Sequence, residues 1–225
     1  MALLHQATIQ PTKLELLAAW LPGRPWSRVP EGAVLQRVAG CRFDDPAGEV
    51  GIEILLVRAG DGPVHHTPLT YRDAPLAGAD AWFVGTTEHS VLGRRWVYDA
   101  CGDPVYLAAL AGAILTGTGQ AEEFIDVDGR VKPRDPDLTV TGSGVAGTPV
   151  PAVTAVRGVV DEDPTLVETD SVRLAVARVL DATGAGPAGQ AGPAGGLVLG
   201  AVWAGAATPV PLARLSDRPR GTTIG

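Results

Sequence analysis

Residues 86–115 read TTEHSVLGRRWVYDACGDPVYLAALAGAIL. The first two thirds hold a glutamate, a histidine, a serine, two arginines, two aspartates and a cysteine, the letters of an active site. The grammar of secondary structure accounts for them more simply. Residues 81–89 and 96–100 alternate as strands, and Gly93 permits the turn between them. Asp103 stands where a helix N-cap accepts from free backbone N–H groups. Pro104 takes the next position, where its missing N–H costs nothing. The apolar run 104–115 then reads as a helix. Strand, turn, strand, cap and helix is the reading on which the fold class rests.

Outward from this stretch the pattern is mostly β. Residues 3–10 alternate weakly as a first strand. PTKLELLAAWLPG follows with the clearest helix signal: Thr12 and Glu15 have capping-box spacing, Leu14, Leu17, Ala18 and Leu21 share one face, and Pro22-Gly23 ends the run. Segments 34–43, 50–59 and 63–71 complete a set of strands with 81–89 and 96–100. Further strands are expected at 121–128, 138–142, 152–160, 171–180, 197–203 and 209–215. Short connections make most pairings antiparallel. The expected class is α+β: a strand-dominated, curled antiparallel sheet with two helices, followed by additional antiparallel strands. GRVKPRDPD at 129–137 reads as a charged joint between a region 1–128 and a β-rich region 138–225, which the extra strands allow to pack into one body. TGAGPAGQAGPAGG at 183–196 has glycine at every third position, yet a triple helix needs many more triplets and three chains, so it reads as a loop.

Composition bounds the function. The chain has 225 residues, 45% of them hydrophobic, enough for a sizeable core. A net charge of −7 argues against a nucleic-acid or anionic-membrane partner, both of which need a basic face. No signal peptide or membrane-length apolar run stands out, and two cysteines make no disulfide framework. A cytoplasmic protein without cofactor or metal is the expectation.

Each candidate motif has a plainer role beside it. GSGVAG at 142–147 has dinucleotide-site spacing, but Pro149 and Pro151 prevent the helix such a site needs, which leaves a glycine-rich turn. His65 and His66 are adjacent on a strand and so point to opposite faces; a zinc site would have to draw His5, one of that pair and His89 together from three strands. Ser90, His89 and Asp99 lack the nucleophile-elbow signature, and nothing near Cys101 marks an activated thiolate.

WLPGRPW at 20–26, HTPLTYRDAPL at 66–76 and GADAWFVGTTEHSVLGRRWVYDACGDPVYLAALAGAIL at 78–115 together resemble the N-terminal cap domain of actinobacterial maltokinases. The shared features are Trp20, Leu21 and Pro22 after the first helix, then Tyr98, Asp99 and Ala100, then Asp103 and Pro104 opening the second helix. The resemblance covers roughly the first 120 residues and implies a curled, cystatin-like sheet that packs by its sheet and helix against a kinase lobe. Maltokinase itself phosphorylates maltose with ATP through a kinase-like body. Phosphoryl transfer there needs an H-x-D catalytic loop, which this sequence does not contain.

Three functional expectations follow. The first is a non-catalytic accessory protein beside α-glucan, trehalose or maltose metabolism, with a cytoplasmic kinase, an α-glucan enzyme or a second copy of the chain as partner. In it, Arg94 and Arg95 are candidate contacts for an acidic partner. The second is a ligand-binding module in which Trp20, Trp26, Trp82 and Trp96 line a sugar or apolar pocket, against ordinary core packing. The third is an enzyme on a cone-like fold, using His65 or His66 with Glu88 if strands 63–71 and 81–89 are neighbours.

Overall fold

The computed structural model describes residues 2–4, 8–127, 130–180, 196–206 and 208–217. His5 and most of the glycine-repeat loop lie outside the described residues. In chain order the elements are β1 (Ala2–Leu4), β2 (Ile9–Gln10), α1 (Lys13–Trp20), β3 (Leu35–Phe43), β4 (Gly51–Ala59), β5 (Val64–Arg72), β6 (Phe83–His89) and β7 (Gly93–Asp99). Then come α2 (Pro104–Thr116), β8 (Glu123–Val127), β9 (Arg130–Arg134), β10 (Leu138–Gly142), β11 (Val156–Val160) and β12 (Thr165–Thr169). The last are β13 (Val172–Val176), β14 (Val179–Leu180), β15 (Leu197–Trp203) and β16 (Val210–Asp217).

Both helices start as their sequences dictate. Thr12 accepts from the Glu15 N–H, and the Glu15 carboxylate accepts from the Thr12 N–H at 2.7 Å, a complete capping box. Asp103 accepts from the Val105 N–H at 3.0 Å, and α2 ends at Gly117, whose left-handed φ of 69° suits a residue without Cβ.

The larger antiparallel sheet runs β2-β6-β7-β5-β4-β3 and curls into a half-barrel. Bulges in β3 between Arg37 and Ala39 and in β6 between Phe83 and Gly85 strengthen its twist. At Gly85 a Cβ would lie 2.7 Å from Leu16 Cδ2, so glycine there is what lets α1 approach. On that face Leu17 and Leu21 pack with Trp26, Val29, Leu35, Leu55, Val57, Leu69 and Val97.

The opposite face carries a second core. Cys41, Phe43, Ile52, Ile54 and Leu56 of the curled sheet meet Tyr106, Leu107, Leu110 and Ile114 of α2. The same core continues into Leu138, Val140, Leu174, Val176, Leu199 and Leu212 of a six-stranded sheet ordered β10-β15-β16-β13-β12-β11. Burial alternates along β10, β12 and β13, as it must when one sheet face is packed and the other wet. A small third sheet pairs β1 parallel with β8, and β8 with β9.

Three expectations require correction. The 129–137 stretch is not simply a joint, since β9 runs through it; Pro133 is tolerated because β9 is an edge strand. Residues 165–169, read as connection, form β12, which pairs between β13 and the edge strand β11 of the second sheet. Strands 63–71 and 81–89 are not neighbours, because β7 lies between β5 and β6.

The glycine-rich turn at 142–147 has a structural task. Gly144 and Val145 donate to the Ile114 and Leu115 carbonyls at 2.9 and 3.0 Å, closing the C-terminal end of α2. A Cβ on Gly144 would fall 2.0 Å from the Leu115 oxygen. No helix follows the motif among the described residues.

Candidate functional site

Strand β5 has an unusual outer edge. β7 pairs with its C-terminal half, Leu69 opposite Asp99, and β14 pairs with its start, His65 opposite Val179. β7 and β14 thus lie end to end with a gap between them. Strand residues two apart direct their N–H groups the same way. The His66 N–H donates outward to the Arg178 carbonyl at 2.8 Å, so the proline at 68, which has no N–H, falls in the gap.

Into this gap go Asp99, from the end of β7, and Arg178, just before β14. Arg178 Nη2 and Asp99 Oδ2 lie 2.8 Å apart and are 0% and 1% exposed. The approach is charge to charge and lacks the alignment of a hydrogen bond. Arg178 Nε donates to Thr165 Oγ1 at 2.7 Å, its backbone N–H donates to Asp163 at 2.9 Å, and Asp99 Oδ1 accepts from the Cys101 N–H. The guanidinium also stacks on Trp26, 4.7 Å from the ring centroid. Trp26 Nε1 in turn donates to Asp161 at 2.7 Å. Burial works to lower the Arg178 pKa, but Asp99 and more distant Asp161 raise it overall, so the cation is retained. One buried arginine therefore joins the segment after α1, the end of β7 and the β11–β12 connection.

The reactive side chains nearby are held in unreactive states. His66 is fully buried; its Nδ1 lies 2.8 Å from the Ala177 carbonyl, and burial pulls its pKa down to about 3, so the ring is neutral at pH 7. Burial pushes both the Cys41 and the Cys101 thiols well above their ordinary range, and both cysteines are free. The Tyr106 hydroxyl and His66 Nε2 are buried with no hydrogen-bond partner among the described residues. Geometrically this is a clamp, closed to solvent.

The residues singled out from sequence are scattered. Trp20 and Trp26 stack edge-on with centroids 6.0 Å apart, and Arg24 lies over Trp20. Trp82 packs against Gly102, where a Cβ would come within 2.2 Å of its ring. Trp96 neighbours Val97 along β7 and so points to the other face from the α1 cluster. Among the described residues no ring contact joins Trp82 or Trp96 to the Trp20–Trp26 pair. Glu88 sits on the exposed β6–β7 hairpin, paired with Arg94 Nε at 2.7 Å, and Arg95 Nη2 donates to the Leu92 carbonyl. Glu88 is therefore remote in topology from His65 and His66. Those two histidines do diverge: His65 packs on Trp26 with centroids 6.3 Å apart, whereas His66 turns toward the other core. Among the described residues no three His, Cys, Asp or Glu are gathered as a metal site, and no helix is long and apolar enough to cross a membrane.

One open cleft, about 400 Å³, adjoins the clamp. Its walls are Arg28, Pro30 and Val34 on one side and Ala59, Gly60 and Pro63 of the β4–β5 turn on the other, with His65 between them. Neither Arg28 nor Arg178 was singled out from sequence. Arg178 is one of several arginines on alternating strands, and no local pattern marks the one whose partner lies 79 positions away (178 − 99).

No curated protein matches the chain. A model of the maltokinase N-terminal cap domain matches residues 20–103, which span the turn after α1, the strands β3 to β7 and the cap of α2. The match is to a cap and not to a catalytic kinase domain. Residues 20–103, which carry the strands of the curled sheet from β3 to β7, are thus similar to a maltokinase N-terminal cap domain.

Proposed function

We propose that the protein is a non-catalytic accessory protein, built on a maltokinase cap-like domain and working beside enzymes of maltose, trehalose or α-glucan metabolism. The observation that carries this reading is the match over residues 20–103, confined to a cap. The placement of the reactive groups supports it. His66, Cys41, Cys101 and Tyr106 are sealed in the core, and Glu88 is on a hairpin remote from them. Convergent titratable groups in a cleft are the usual mark of an active site.

α2 is here packed under the protein's own six-stranded sheet as well as on the curled sheet, so it offers no open face to a kinase lobe. A partner must therefore dock elsewhere. The β6–β7 hairpin is the surface assigned to it: Val91 and Leu92 are exposed at its tip, beside the exposed Arg94 and the partly exposed Arg95. The partner is a kinase or an α-glucan enzyme with an acidic docking patch.

The full chain, titrated calorimetrically with a maltokinase kinase body lacking its own cap, should bind saturably. The double reversal Arg94→Glu, Arg95→Glu should weaken that binding at least tenfold, and the chain alone should release no ADP from ATP and maltose. Maltose phosphorylation by the chain alone overturns the non-catalytic reading. Absence of binding, or affinity indifferent to the reversal, overturns the accessory reading and its surface respectively.

A further inference from the structure

We propose that the outer face of the six-stranded sheet is a docking surface for a second copy of the chain, the two copies packing face to face about a two-fold axis close to the line of β13. The proposal does not rest on the accessory reading, which uses the β6–β7 hairpin.

Strand register builds a continuous line of side chains on this face. Thr165, Val167 and Thr169 of β12 and Val172, Leu174 and Val176 of β13 are buried, so the residues between them point to solvent. Pairing then aligns Val198 of β15, Arg214 of β16, Ala175 of β13, Leu166 of β12 and Val160 of β11 in one cross-strand row. Opposed side chains in such a row are about 5 Å apart. Leu166 and Val160 are each 49% exposed, and Val202, on the same face of β15, is 44% exposed. Single apolar residues are ordinary on a surface, whereas a contiguous row of them across a sheet marks an interaction site.

Charge selects the occupant. The chain has 25 acidic residues against 18 lysines and arginines, yet the outward positions of the paired strands hold one carboxylate, Glu168, beside Arg173 and Arg214. Two copies of an acidic chain therefore repel least through this face. Glu168 is held by Arg173 at 3.2 Å, while the exposed Arg214 has no hydrogen-bond or ion-pair partner among the described residues.

Symmetry supplies what Arg214 lacks. β16 and β12 flank β13 on its two sides, so a two-fold axis along β13 exchanges them. Arg214 of each copy then lies over β12 of the other. Its aliphatic stem covers Leu166, and its guanidinium reaches Glu168, two residues and about 7 Å further along the strand. Val198 meets Val160, and the small Ala175 at the axis meets its own counterpart and lets the sheets close to about 10 Å. Every contact away from the axis is made twice, as a closed dimer requires. The six strands, spaced about 4.8 Å apart and about five residues long, give roughly 450 Å² per copy and 900 Å² for the pair. That is near the lower bound for specific association, so the dimer is weak, with a Kd on the order of 10 µM.

Sedimentation equilibrium of the full chain, from micromolar to sub-millimolar concentration, tests this directly. The weight-average mass should rise from 23.1 kDa toward twice that value. Leu166→Lys and, on the neighbouring strand, Val160→Lys replace exposed side chains, so each should keep the parent's circular dichroism and melting temperature while weakening the dimer at least tenfold. Arg214→Glu and Glu168→Arg should each weaken it at least tenfold, and the two combined should recover most of the loss. A mass that stays at 23.1 kDa throughout, or a dimer indifferent to both lysine variants, overturns the proposal. A charge exchange no better than either single reversal overturns the two-fold arrangement about β13.

Discussion

The two helices begin alike and end up in different surroundings. α1 and α2 each have a side-chain cap, yet α1 lies on one face of the curled sheet with its far side in water, whereas α2 is enclosed between two sheets. Their sequences already differ in the relevant way. KLELLAAW keeps Glu15 for the wet side and turns Lys13 to the buried Glu53 of β4, while PVYLAALAGAILT has no charged residue at all. A helix apolar all round needs cover on every side, and a single curled sheet covers only one. The six-stranded sheet supplies the remainder. The difference teaches that the strands after residue 138 are part of what makes α2 stable in water.

That comparison can be broken most forcefully at the clamp. Arg178→Ala leaves Asp99 buried beside no cation and should cost about 3–5 kcal/mol in denaturant unfolding. Arg178→Met combined with Asp99→Asn should recover much of this loss, because no buried charge remains and the new side-chain amide keeps an acceptor for the Cys101 N–H. A double variant no more stable than Arg178→Ala would assign the loss to packing on Trp26.

Next come the helices themselves. Leu110 of α2 and Leu17 of α1 are both 0% exposed, so truncation of either to alanine should cost about 2–5 kcal/mol. The sharper expectation concerns reach. Leu110→Ala should loosen strands of both sheets, seen as faster amide exchange in β4 and β15, while Leu17→Ala should act on the curled sheet and leave β15 protected.

A pH dependence follows from His66. Its folded pKa of about 3 lies below the ordinary 6.5 because burial disfavours the charged ring. Below pH 6.5 the unfolded chain takes up a proton that the folded chain refuses. Stability should therefore fall with decreasing pH between about 6.5 and 3, by up to about 1.4 kcal/mol per unit from this group. His66→Asn, which can donate to the Ala177 carbonyl without titrating, should flatten that slope in thermal melts at about pH 7 and pH 5. An unchanged slope would mean that His66 is not the group responsible. Smallest is the cap of α1: Thr12→Ala should lower stability by about 1 kcal/mol.

Much of the first half was legible because its signals are local. Thr12 with Glu15, Asp103 with Pro104, and strands of period two all act within a few residues of one another. What escaped was set by distant partners. The sequential-neighbour rule put β5 beside β6, but the β6–β7 hairpin folds back so that β7 takes the inner place, which carries Glu88 away from the histidines. β9 was hidden by the charges and proline that an edge strand tolerates, and β12 by the Asp163-Pro164 pair that reads as a turn. Of the site, the divergence of His65 and His66 could be read from strand alternation. The pairing of Asp99 with Arg178 could not, since a buried ion pair leaves no mark in the composition around either residue.

The most direct test of the account is native-state hydrogen exchange of α2 in the full chain. If the helix is enclosed by both sheets, the amides of Leu107, Leu110 and Ile114 should exchange only through global unfolding, in the same stability class as β4, β10 and β15. If α2 and β4 open together while β10 and β15 stay protected, or the reverse, the six-stranded sheet is a separate body and the account of a self-covered cap is wrong.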